Sequence, residues 1–215
     1  MADLKINGYT GQRADLILPP QGRWTARVNF DGELAIGQSV ALRLLGVDYV
    51  GHVVEAGSIG AAGSVMVAGG TGGLDRSVEA RHYRHGPQVQ TILFDVLGEV
   101  GESLSALSDS AVLARSLTAW TRTAGTALDA VDELAEYCGC KWRVLPDGSI
   151  WIGSYTWPAV TTDWTLIGGE PEVGRLTISA ETATFAPGEV LDNLRLRSVT
   201  HMVTSASSRS ILRLE

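Results

Sequence analysis

Residues 120–153 read WTRTAGTALDAVDELAEYCGCKWRVLPDGSIWIG, and the order of elements inside this stretch decides the fold. Thr126-Ala127-Leu128-Asp129 has the form of a capped helix start, with side-chain oxygens placed to satisfy the first free amides. From there Leu128, Val131, Leu134, Ala135 and Cys138 fall on one helical face until Gly139, a residue suited to the left-handed conformation that ends a helix. Directly after it, Lys141-Trp142-Arg143-Val144-Leu145 and Ser149-Ile150-Trp151-Ile152 flank Pro146-Asp147-Gly148. In that turn proline presets one dihedral and glycine accepts a positive one. The stretch therefore predicts a helix followed by a β-hairpin, with Trp142 and Trp151 at positions that can face each other across the strands. Leu117–Arg122 is expected to add a strand to the same small sheet.

Working outward, Val89, Ile92, Leu93, Val96, Leu97 and Val100 form one helical stripe, with Pro87 suited to its first turn and Gly101 to its end. Before Pro87 the period is that of strands. Leu16-Ile17-Leu18 stops at Pro19-Pro20, which have no amide donors. Trp24–Phe30 alternates and runs into Asp31-Gly32, a hairpin signal. Val40–Gly46, Tyr49–Val54 and Val65–Ala68 follow at short intervals, as in an antiparallel barrel or sandwich. Past Pro158 strands return at Trp164–Ile167, Arg175–Ser179, Leu194–Val199 and Ser210–Leu214. The expected fold is α+β and mainly β: a split antiparallel β-barrel around an inserted small α/β subdomain. The expected division is 1–86 for the first part of the barrel, 87–158 for the insertion, and 159–215 for strands that complete or extend the barrel region.

The chain has 215 residues, 24 acidic against 17 basic side chains, a formal charge of −7, and 25 glycines. That balance argues against a nucleic-acid binder held by phosphate neutralisation. No apolar run approaches the roughly 18–20 residues of a membrane span, and Met1-Ala2-Asp3-Leu4-Lys5 does not begin a signal peptide. Two cysteines one residue apart do not make a redox or zinc knuckle, and the sparse cysteine usage fits synthesis in the cytoplasm.

No reaction is specified. His52, His82, His85 and His201 are scattered, and only His82 and His85 lie close enough in sequence for a shared metal, a role secondary to a structural or solvated one. Gly69-Gly70-Thr71-Gly72-Gly73-Leu74 invites a phosphate-loop reading but lacks the Gly-Lys-Ser/Thr ending and a following helix, so a sharply bent strand connection is expected. Asp129, Asp132, Glu133 and Glu136 read as the solvated face of their helix. Trp120, Trp142, Trp151, Trp157 and Trp164 supply core packing, a protein interface or a sugar-stacking platform, in that order of expectation. No catalytic, cofactor-binding or metal-binding residue is expected.

The middle of the chain resembles the baseplate hub proteins of contractile-tailed and related bacteriophages, relatives of the N-terminal part of the type VI secretion spike protein. Trp120–Ala127, the helix to Gly139 and Trp142–Gly153 carry the resemblance. Tyr49–Val54 and Gly69–Leu74 resemble the barrel strand and glycine-rich stretch before this block, and Pro187-Gly188, Val199–Val203 and the final strand resemble the barrel's return. The resemblance implies a tail-tube-like barrel in a structural, non-enzymatic subunit of the virion tail baseplate, assembled in the host cytoplasm. It implies a homotrimeric ring that joins the tail tube to a central spike or tip and encloses the DNA channel. The implied partners are the tail tube protein, the spike or tip protein, the tape measure protein and other baseplate proteins, with DNA passing through unbound. A tail-tip cell-wall hydrolase, a carbohydrate-binding component and a distal tail ring protein are the alternatives.

Overall fold

A computed structural model describes residues 3–59, 62–160, 163–179 and 185–215; Met1 and Ala2 of the N-terminal reading lie outside them. Six strands come first: β1 (Leu4–Ile6), β2 (Tyr9–Leu18), β3 (Thr25–Asp31), β4 (Ser39–Leu44), β5 (Val47–Ile59) and β6 (Ala62–Gly69). Each is antiparallel to its neighbours in the closed order β1-β4-β5-β6-β3-β2, and β1 pairs back onto β2. Alternation explains the closure. Ala26, Val28 and Phe30 on β3, Val40, Leu42 and Leu44 on β4, and Val65 and Val67 on β6 all point into one core while their neighbours face out.

Asp31-Gly32 ends β3 but does not form a hairpin with β4. β3 sits between β2 and β6, while β4 sits between β1 and β5, so the chain crosses from one side of the barrel to the other between them. The tight β1–β2 hairpin is instead at Asn7-Gly8, where both residues take positive φ, 47° and 86°. An Asn-Gly pair is the sequence signal for this turn.

The middle of the chain contains β7 (Ser77–Val78), β8 (Arg81–Tyr83), α1 (Val89–Val100), α2 (Ser110–Leu113), β9 (Trp120–Arg122), β10 (Gly125–Thr126), α3 (Ala127–Cys138), β11 (Lys141–Val144) and β12 (Ile150–Gly153). The α1 stripe is entirely buried and Gly101 ends the helix at φ 77°. Thr126 caps α3 in a reciprocal pair with Asp129, and Gly139 ends it at φ 64°. The β11–β12 hairpin forms as expected. Leu117–Arg122 does not join it: β9 pairs with β8. Arg122 explains the choice, because its buried guanidinium donates to the Glu79 carbonyl and to Glu99 on α1, next to β8. β7 and β8, before Pro87, thus pair forward with β10 and β9. The helices share one continuous core with the barrel.

The last elements are β13 (Thr165–Glu170), β14 (Arg175–Ser179), β15 (Val190–Leu191), β16 (Leu194–Thr204) and β17 (Ser208–Leu214). They extend the barrel sheet outward. β2 has one edge with two tenants: Tyr9 and Thr10 pair with β1, and Arg13–Leu18 pair with β16. From β16 the sheet runs on through β17 and β14 to β13. A second, smaller core of Leu176, Ile178, Phe185, Leu191, Leu196, Val199 and Leu212 covers the inner face of this extension.

Candidate functional site

The sheet that leaves the barrel offers two kinds of surface. The first is its outer face. Strand register aligns Thr25, Ile17, Thr200, Ile211 and Thr177 in one outward row, and Met66, Arg27, Asp15, Met202 and Arg209 in the next. Between them runs a buried row of Ala26, Leu16, His201, Ser210 and Ile178 on the inner side. The period of two makes the outer face a mixed polar and apolar wall across β3, β2, β16, β17 and β14. The second surface is the edge. β13 pairs with β14, and among the described residues no strand pairs with its other side. Leu166 and Ile167 on this strand are 55% and 58% exposed, and the register shift between Leu166 and Gly168 leaves Ile167 as the extra residue of a bulge. Thr165–Glu170 contains neither proline nor lysine, the residues that commonly block such an edge.

The candidate chemical groups are dispersed. His201 is buried between sheet and loop: Ser210 Oγ lies 2.7 Å from Nδ1 and the Phe185 carbonyl 3.2 Å from Nε2. A carbonyl only accepts, so Nε2 carries the hydrogen and Nδ1 accepts from the serine. Burial pushes this imidazole down to about 4. His52 is also buried, with Nε2 3.6 Å from Asp75, whose carboxyl is held low chiefly by the hydrogen bond from Arg23. His82 lies exposed beside Thr121, and His85 sits in the turn after β8. Cys140 is buried and its thiol is pushed up to about 11 by that burial, while Cys138 is half-buried and also raised. Among the described residues no group of three or more His, Cys, Asp or Glu is placed to hold a metal.

The glycine-rich segment does bind an anion, but one of its own chain. Gly70 and Gly72 take φ of 91° and 92°, and the intervening amides turn inward. Thr71 N donates to the Glu102 carboxylate at 3.0 Å and Gly73 N at 2.8 Å. A Cβ at Gly73 would lie 2.3 Å from the Val100 carbonyl, so the close approach requires glycine. Glu102, buried just past the end of α1, was not legible as this partner, since nothing local links residues 71 and 102.

Two further expectations are corrected. Trp142 pairs with Ile152, and Arg143 with Trp151, so the two tryptophans point to opposite faces of the hairpin. Trp142 is fully buried and donates to Asp132 at 2.6 Å, which takes that carboxylate out of the solvated face; Gln21 also donates to it. The Asp129 carboxylate accepts from the Thr126 amide in the helix cap, and Glu133 accepts from Thr123. Trp120 is buried against Tyr83, while Trp151, Trp157 and Trp164 are half-buried. Trp24, fully buried against Tyr49 just before β3 begins, is a further core tryptophan.

No family model and no curated protein matches the sequence. The three-dimensional arrangement does have counterparts among solved structures. The 43 kDa tail protein of prophage MuSo2 from Shewanella oneidensis superimposes with a TM-score of 0.70 at 11% identity, over 100% of this chain and 97% of that one. A tail protein of Neisseria meningitidis gives 0.67 at 13%, over 99% and 95%. This is the fold of phage tail proteins. An E. coli component of the type VI secretion system, described as structurally similar to bacteriophage T4 tail proteins gp27 and gp5, shares the tail-protein fold with a TM-score of 0.73 at 12% identity, over 99% of this chain and 76% of that one. The tail-protein fold spans the chain from the barrel to β17. No helix among the described residues is long and apolar enough to cross a membrane.

Proposed function

We propose that the chain is a structural subunit of a phage tail baseplate, a hub that forms a homotrimeric ring between the tail tube and a central spike or tip. The observation that carries this reading is the match of nearly the whole chain to tail proteins, barrel and sheet extension together. The extension supplies what a ring needs: an open strand edge at β13 with exposed Leu166 and Ile167, to which a neighbour can add its own backbone hydrogen bonds.

The reading also bears on where DNA would pass. The bore of the six-stranded barrel is filled by side chains such as Phe30, Leu42 and Val67, so the channel lies between subunits and not within one. The formal charge of −7 suits a lumen along which DNA slides without adhering. The role is structural and non-enzymatic. The partners are the tail tube protein, the spike or tip protein, the tape measure protein and other baseplate proteins. The three-part division of the chain serves this role, with barrel and C-terminal strands building the ring and the α/β segment packed against the barrel.

Subunit stoichiometry in assembled tails, read by electron microscopy, tests the proposal. Three copies at the junction of tube and spike are expected. Six copies would assign the chain to a distal tail ring, and a chain absent from the particle would overturn the tail role. A strongly positive bore in the ring would overturn the sliding-channel argument.

A further inference from the structure

Arg143 and Trp151, paired across β11 and β12, point away from the core that receives Trp142 and Ile152. The chain leaving β12 then brings Tyr155 and Trp157 to the same side. The Tyr155 ring is parallel to Trp151 within 5°, with centroids 6.0 Å apart, and Trp157 meets Tyr155 edge-on at 5.4 Å. Trp157 holds a φ of 53°, a conformation unusual for a bulky residue that persists where surroundings impose it. The Arg143 guanidinium lies 5.1 Å from the Trp151 ring centre and 5.8 Å from that of Tyr155. Its Nη1 donates to the Pro187 carbonyl at 2.7 Å, which fixes it in place.

Of these side chains Arg143, Trp151 and Tyr155 border a cleft of about 480 Å³ between the hairpin, the segment after it and the Pro187–Glu189 segment. Asp109, Ser154, Thr156 and Glu189 supply the polar part of its lining. The volume is within the range of small-ligand sites, about 300–1,000 Å³. The lining selects by elimination. Two carboxylates oppose an anion, the fixed guanidinium opposes a cation, and a purely apolar guest would strip water from all of them without replacing it. A ligand with an apolar C–H face and a rim of neutral hydroxyls, each able to donate and accept, satisfies both the aromatic and the polar parts.

We propose that this cleft is a binding site for a neutral saccharide of about two sugar rings, one ring lying against Trp151 and Tyr155 with its hydroxyls toward Asp109, Glu189, Ser154 and Thr156. The site shares no residue with β13, so it is independent of ring assembly through that edge. Burial raises the Glu189 carboxyl, and its Oε2 is held in place by the Ala186 amide at 2.7 Å.

The test uses the full chain, titrated with N,N′-diacetylchitobiose, maltotriose and digalacturonic acid, and followed by tryptophan fluorescence and saturation-transfer NMR. Saturable binding of at least one neutral probe, with the acidic dimer weaker, is expected. Trp151→Ala should weaken it about tenfold through the lost stacking face. Thr156→Arg, at an exposed position on the rim, should block it while thermal unfolding stays that of the parent. Absence of saturable binding by every probe, a preference for the acidic dimer, or binding unchanged in both variants would overturn the site. Tail stoichiometry reports separately on the hub reading, so the two fail independently.

Discussion

His201 and Glu102 show what a single buried polar residue does here. The folded state keeps His201 neutral, with a pKa near 4 against about 6.5 in the open chain. Above pH 6.5 neither state binds the proton and the full stability is present. Between 6.5 and about 4 the unfolded chain takes up a proton that the folded chain refuses, so stability falls as pH falls. Urea unfolding at pH 7 and 4.5 should show an acid-induced loss about 2 kcal/mol larger in the parent than in His201→Gln; equal losses would mean that another group titrates. Glu102 acts through its acceptors. Glu102→Ala strands the amides of Thr71 and Gly73 and should cost about 2–3 kcal/mol, with Glu102→Gln, which keeps one oxygen, losing less. Equal thermal unfolding of all three proteins would show that the glycine turn holds without its anion.

At the level of elements, α1, α3 and the β11–β12 hairpin were readable because their signals are local. A cap and the residue it serves are three positions apart in Thr126 and Asp129, and Pro146-Asp147-Gly148 contains its whole turn. Pairing between distant strands was less readable. Asp31-Gly32 carries hairpin chemistry yet joins strands that are not neighbours, because barrel closure outweighs a turn preference of this size. β9 likewise follows Arg122 and its partners, Glu79 just before β8 and Glu99 on α1. In the proposed ring, β13 is the element that assembly depends on. Ile167→Lys places a charge on the open edge at a residue already 58% exposed, so monomer stability should change by less than about 0.5 kcal/mol. Ring formation, followed by light scattering across a concentration series, should weaken sharply; an unchanged profile would remove β13 from the interface.

At the scale of the whole molecule, residue chemistry set the alternation that makes strands, the stripes and caps that make two helices, and the net negative charge. These follow from residue chemistry acting over a few positions. Tertiary structure decided the rest. It closed the barrel through two residues of β1 and left the remaining edge of β2 free for β16, so the C-terminal strands extend the sheet and end in an open edge. It also turned the glycine-rich segment into a cradle for Glu102 and set Trp142 and Trp151 on opposite faces. The physical reason is that hydrogen-bond partners and buried faces are chosen by what the folded chain brings together, and in this protein those partners lie tens to nearly two hundred residues apart, as Leu16 and His201 do.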